Sequence, residues 1–356
     1  MSTFRFGTPQ ALRRELDSRV QLIVHPAGDT IPLYSKAALF LAWAGLAYGA
    51  LVFGSDTTSE ALFYAALLVP AILGIAFNIQ HDGNHGAFSR RPWVNRLAGM
   101  TLDVIGVSSY FWKNNHIGSH HIFTNIPLRD TDIEVSSLVR LSQDHPWRWF
   151  HKYQHIYLWG AYAFVHLRYL YSDVQRMIAA KQANASVSFP RGLDLQLLIV
   201  GKAAFLTLAF VIPLTQHAWH HVLAIYVATS MVVGLVSGVV FQLAHSVDNV
   251  AHPVLHQGAS KQDEWIVHQL STTTNFGTTS AALTFLLGGL NYQVEHHLYR
   301  DTPHVRLPAI GRVVKEFCVE HGLPYHEHRS IGGALRSHYR FLRQMGAPPV
   351  PSTPTG

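Results

Sequence analysis

Four long stretches of this chain carry almost no charge, and they limit its fold more than any other feature. Ala37–Gly54, Ala61–Gln80, Leu193–Leu214 and Val222–Ala244 are apolar runs long enough, or nearly so, to cross a bilayer, which takes about 17–25 residues. Leu193–Leu214 is the least regular, with Asp194 near its start and Lys202 inside it. Buried helices of a large water-soluble enzyme usually keep one charged face; the other three runs keep none. Only 13% of the 356 residues are charged, against about a quarter in a typical soluble domain. The predicted fold class is an all-α integral membrane protein with about four transmembrane helices.

Lys and Arg stay on the cytoplasmic side of spanning segments. The segment ending at Lys36 holds five of them, residues 81–192 hold twelve, and everything after His245 holds nine. The short connections 55–60 and 215–221 hold none. The spans therefore pair into two hairpins, with both termini and the long middle segment cytoplasmic. A net charge of +6 spread over membrane-proximal segments matches anionic headgroups or an acidic substrate carrier, and calls for no nucleic-acid partner. The polar first thirty residues show no cleavable signal peptide. Cys318 is the single cysteine, which excludes an intramolecular disulfide, an iron–sulfur cluster or a thiolate zinc site within one chain.

The histidines are not scattered evenly over this map. "HDGNH" places His81 and His85 on the extension of the second span, and "HIGSHH" adds His116, His120 and His121 about thirty residues on. His245 ends the last span, and "QVEHH" brings Gln293, His296 and His297. All lie on the predicted cytoplasmic face, which makes this side a helical cap around a shared site. His116 and His120, four apart, are expected on one face of a helix, with His121 one step round. His217, His220 and His221 fall in the opposite connection and are expected to be no part of the site.

Eight imidazoles exceed what one metal needs, since zinc normally takes four ligands, so the cap is expected to hold two metals. Nitrogen donors without a thiolate favour iron, zinc or copper over magnesium or calcium. Asp82, Asp130, Asp132 and Glu295 are candidates for accepting a ring N–H and fixing its tautomer. Gln242, one turn before His245, and Gln293 are candidates for weak coordination or for holding a water. A heme or metal carrier would place its ligands inside the spans, but Ala61–Gln80 and Val222–Ala244 contain no histidine.

With these motifs the chain resembles the membrane-bound fatty acid desaturases, most closely the bacterial linoleoyl-CoA or front-end branch. Its three boxes stand here as "HDGNH", "HIGSHH" and "QVEHH", and the glutamine opening the third marks that branch. "TNIPLRDTDI" after the second box and "VHQLSTTTNF" before the third are also similar. The resemblance covers residues 35–310, leaving 1–34 and 311–356 as cytoplasmic N- and C-terminal segments. It implies His81, His85, His116, His120, His121, His245, His296 and His297 as ligands of two irons, with dioxygen as co-substrate and an acyl chain on CoA, an acyl carrier protein or a glycerolipid as substrate. Many members of the branch carry a fused cytochrome b5 domain. About 35 residues precede the first span here, so the electron donor is expected to be a separate ferredoxin or cytochrome b5-type protein with its reductase. Related hydroxylases, acetylenases and ketolases use similar boxes.

The expected setting is a bacterial inner membrane with a cytoplasmic active site. The aromatic segment at residues 145–164 reads as an interfacial helix, with lining of an acyl tunnel as the alternative. Ala281–Leu290 is too short to span. The tail "APPVPSTPTG" is disordered by composition.

Overall fold

The computed structural model describes residues 11–23, 30–181, 187–254 and 264–349. Most of the N-terminal segment before the first span, residues 182–186 and nearly all of the Pro-rich tail lie outside the described residues. Four helices are long and apolar enough to cross a membrane: Ile31–Phe53, Thr58–His85, Leu193–Leu214 and Trp219–His245. Each displays bulky apolar side chains outward, among them Leu46, Phe63, Ile199 and Val232, as contact with lipid requires. The first begins about two turns before the expected Ala37 and so takes Lys36 inside the helix.

The two charges in the third run are both paired. Asp194 meets Arg96 at 3.3 Å, while the Lys202 ammonium donates to Asp173 and to the Gly106 carbonyl, each at 2.7 Å. Such pairing is what allows charge at this depth.

Local signals explain where the elements turn. Thr57 and Glu60 form a reciprocal cap that starts the second span, satisfying backbone N–H groups that have no helical partner. Past its end, Gly86 takes φ +78°, a left-handed geometry that glycine adopts without penalty. The chain then folds back as the helix Pro92–Val104, opened by proline at its first position. The return is tight because Gly83 faces Gly99: a Cβ at 83 would lie 2.4 Å from the Gly99 nitrogen.

Under the cap, Leu73, Phe77, Val240, Leu243, Phe276 and Leu290 make a buried core. The short helix Ala281–Leu286 and its following leucines close it. A second core joins Leu16 and Val20 of the helix Ala11–Gln21 to Leu270, Val294, Leu298, Val314 and Phe317. Truncating Phe317 to alanine would cost about 3–5 kcal/mol. The helices Leu307–His321 and Ile331–Gly346 are amphipathic and pack on the cap with their apolar faces. Residue 310 falls inside the first of these. The strand His326–His328 pairs in parallel with Thr274–Phe276, so the C-terminal segment is stitched to the unit carrying the third box. This short pair is the one departure from an all-helical fold among the described residues.

Candidate metal centre

Two π-helical turns place the histidines. One, Ala76–Gln80, immediately precedes His81; the other is His116–His120 itself. Such turns are rare and occur often at functional sites. In the second, the His121 N–H reaches the carbonyl of His116, five residues back. The wider turn also sets His121 over His116, with their Nε2 atoms 3.1 Å apart, while His116 and His120 stack on the shared face expected of them, ring centres 5.3 Å apart.

The result is two groups of buried imidazoles. Donor atoms of His81, His85, His116 and His296 lie within 4.8 Å of one another, and so do those of His120, His245 and His297. His121 stands between the groups, its ring centre 4.8 Å from that of His85 and 4.2 Å from that of His297. All eight residues taken from the motifs thus meet in one place. Sequence neighbours His296 and His297 serve different groups because successive side chains of their short helix, Gln293–Leu298, are turned about 100° from one another. His217 donates to the Val52 carbonyl at 2.8 Å. Neither it nor His220 or His221 joins a metal-sized group among the described residues.

In the three-histidine group every ring is anchored from behind. His120 Nδ1 lies 3.1 Å from both oxygens of Asp130, His245 Nδ1 is 3.3 Å from the Thr272 carbonyl, and His297 Nδ1 is 2.9 Å from Gln269 Oε1. These acceptors hold hydrogen on Nδ1, so that Nε2 is the nitrogen each ring offers to a metal once it is neutral. Asp130 is itself fully buried and held by the backbone N–H groups of Asn125 and Asp132 at 2.8 and 2.9 Å. Asn125 occupies φ +59°, which an asparagine tolerates better than most residues, and its amide donates to the His245 carbonyl at 3.0 Å.

The four-histidine group is held differently. Trp112 stacks on His116 with centroids 4.3 Å apart, and the rings otherwise lean on one another. Neither nitrogen of His81 or His85 has a hydrogen-bond partner among the described residues, nor does Nε2 of His296. Leaving a buried polar atom unpaired costs about 1–3 kcal/mol. Converging bare nitrogens therefore fit a bound cation, and an all-nitrogen donor set fits a transition metal.

Protonation is arranged accordingly. Burial, reinforced by neighbouring imidazoles, lowers His121, His296 and His297 far below the ordinary histidine range. Burial likewise lowers His116 to about 4, although Asp132 opposes it. These rings are neutral at pH 7, as ligands must be. Burial also resists charge on His120, but Asp130 and Asp132 outweigh it and raise the group to about 9.

The other candidate residues divide. Asp130 is a ring acceptor; Asp132, with 46% of its side chain exposed, stands 3.9 Å from His116 Nδ1 and 3.6 Å from His120 Nδ1. Asp82 lies 3.8 Å from His81 Nδ1, but its short contacts are to His304. Glu295 does not take the expected ring N–H. Its oxygens accept from Asn275 at 2.8 Å and Tyr325 at 3.0 Å, which ties the third box to the strand pair, and burial raises it to about 7. Gln269 was not singled out from the sequence, although it lies within "VHQLSTTTNF"; a polar residue one turn before two buried threonines was the available signal.

A cavity of about 690 Å³ opens onto both groups. Its lining includes His81, His116, His120, His245, Gln242 and Gln293, the charged Asp130, Asp132, Arg168 and Arg176, and an apolar share from Val139, Leu141, Leu158, Tyr162 and Phe241. Within the aromatic segment, Trp149 and Ile156 are exposed, while Tyr157 and Leu158 line the cavity.

Comparison with known proteins agrees with this geometry. The family described as Fatty acid desaturase matches residues 58–329. An sn-1 linoleoyl-lipid 6-desaturase of Arthrospira platensis is 35% identical, the alignment covering 98% of this chain and 96% of that protein. One of the same description from Synechocystis is 31% identical over 96% of this chain and 97% of its own length. An acyl-lipid (8-3)-desaturase of Physcomitrium patens is 33% identical over 83% of this chain and 62% of its own.

Proposed function

The chain belongs to the fatty acid desaturase family, on its front-end branch, and we propose that it desaturates acyl chains esterified to a glycerolipid, at a di-iron centre held by the two histidine groups. It is an oxidoreductase of fatty acyl chains and a membrane protein; the carrier, the metal and the orientation are our reading. The observation that carries it is the mainly apolar cavity whose lining includes imidazoles of both histidine groups. Its volume is within the range of small-molecule sites, and its walls suit a hydrocarbon chain.

The two cyanobacterial relatives are described as acting on lipid-linked linoleoyl chains at position 6, and we extend that substrate class to this chain. Two irons with dioxygen supply the oxidising power: two hydrogens leave adjacent methylenes, and two electrons with two protons complete the reduction of dioxygen to water. The protein's own residues hold and place. His81, His85, His116, His120, His121, His245, His296 and His297 present ring nitrogens, Asp130, Gln269 and the Thr272 carbonyl orient three of them, and the apolar wall keeps water from the acyl chain. Gln242 and Gln293, which also line the cavity, are our candidates for holding a water. The catalytic unit spans 35–310, with the C-terminal helices as its support. Basic residues gathered at the site's end of the spans favour a cytoplasmic active site in the inner membrane. In this reading electrons come from a ferredoxin or cytochrome b5-type protein with its reductase.

The test is lipid profiling by gas chromatography–mass spectrometry in a host supplied with a ferredoxin and its reductase, beside a His120→Ala control. A new double bond six carbons from the carboxyl end of lipid-linked chains, absent from the control, is expected. A hydroxylated product, or none from an iron-loaded enzyme offered lipid-linked chains, would overturn the reading.

A further inference from the structure

We propose that Lys36 and His304, acting through Asp82, form a positioning relay that fixes His81 and decides whether the four-histidine group holds its metal. The inference rests on the two-iron reading above and concerns one of its two halves.

The three residues come from distant parts of the chain. Lys36 belongs to the foot of the first span, Asp82 to the first box and His304 to the turn before the helix Leu307–His321. All are buried: Lys36 is 7% exposed and the other two 3% each. Lys36 Nζ lies 3.1 Å from His304 Nε2 and 4.3 Å from the centre of the Phe285 ring. His304 Nδ1 lies 2.8 Å from Asp82 Oδ2, and the His304 backbone N–H donates to the same oxygen at 3.1 Å.

The chemistry sets the direction of each bond. A carboxylate only accepts, so His304 carries its hydrogen on Nδ1. Its Nε2 is then an acceptor, and the Lys36 ammonium donates to it. A buried cation and a buried anion are thus joined through a neutral imidazole, which satisfies two charges that would be costly alone. The second Asp82 oxygen stands 3.8 Å from His81 Nδ1. No hydrogen bond reaches either nitrogen of His81 among the described residues, so this carboxylate is what biases the ring to keep hydrogen on Nδ1 and turn Nε2 inward. Outer groups of this kind typically change metal affinity 10–100-fold. The three-histidine group does not share the relay, since its anchors are Asp130, Gln269 and the Thr272 carbonyl.

Packing and relay can be separated at His304. Leucine fills much of the space but neither accepts from Lys36 nor donates to Asp82. Glutamine offers a carbonyl to the one and an N–H to the other. Full-length wild type, His304→Leu, His304→Gln and Lys36→Met would be purified after growth on ⁵⁷Fe, then measured for iron per chain and by Mössbauer spectroscopy. Wild type is expected to hold two irons. His304→Leu and Lys36→Met are expected to fall to one, with the signal of the remaining iron unchanged, and His304→Gln to recover most of the loss. Two irons with unaltered spectra in His304→Leu and Lys36→Met would overturn the relay. Loss of both irons in every variant, glutamine included, would overturn its restriction to one group. No iron in wild type would sink the two-iron reading itself, a result distinguishable from the others.

Discussion

The two histidine groups use one kind of side chain and are held by different physics. Behind each ring of the three-histidine group stands a dedicated acceptor: a buried carboxylate for His120, an amide for His297 and a backbone carbonyl for His245. In the four-histidine group the rings stack on Trp112 and on one another, and the nearest carboxylate touches them at 3.8 Å or more. Hydrogen bonds to charged groups contribute about 1.5–3 kcal/mol and neutral ones about 0.5–1.5 kcal/mol. The three-histidine group is therefore preorganised by the protein, while the other acquires much of its order from the metal. Equal spacing in the sequence conceals this inequality.

The largest effects lie in the ligands themselves. His296→Ala and His297→Ala alter adjacent residues, and both are expected to reduce desaturation below detection. Each should lose a different iron, giving two distinct single-site Mössbauer spectra; identical spectra would dissolve the division into groups. Next comes Asp130→Asn, which removes the charge behind His120. Iron affinity at the three-histidine group should fall 10–100-fold, measured by competition with a chelator, with the other iron unaffected. Gln269→Leu removes a neutral acceptor and should stay near the lower end of that range. If it equalled or exceeded Asp130→Asn, charge would not be the organising force.

The smallest effect concerns the ground behind His245. His338 Nδ1 donates to the Ser246 carbonyl at 2.6 Å, while Tyr162 donates to its Nε2 at 2.7 Å. Burial lowers His338 to about 4, partly offset by the bond to Ser246, from an ordinary value near 6.5. Because the folded value is the lower one, protonation favours the unfolded chain. The contribution is complete above pH 6.5 and is lost as pH falls toward 4, amounting to about 2 kcal/mol between 6.5 and 5. In the iron-loaded protein, His338→Gln should show a smaller drop in Tm over that interval. An unchanged drop would mean that His338 is not held neutral.

Much of this was legible in the chain itself. The four spans were visible because lipid demands unbroken apolar runs, and the eight histidines because their spacing at the ends of those runs has no simple structural use. Which imidazole joins which group was not legible: the π-helical turn at His116–His120 brings His121 over His116, and residue type does not announce such a turn. Glu295 illustrates a second limit. Sitting beside two ligands in sequence, it turns away to Asn275 and Tyr325, because neighbours on a short helix point in different directions. Gln269, His304 and Lys36 show a third. Their roles depend on contacts across 28, 222 and 268 residues of chain, distances that local pattern does not bridge.

The most direct measurement is a structure of the iron-loaded protein with anomalous scattering recorded at the iron edge. Two separate peaks are expected, one among His81, His85, His116 and His296 and the other among His120, His245 and His297. A single peak shared by both groups, or one group left empty in fully active enzyme, would contradict the division of the site into two unequal halves.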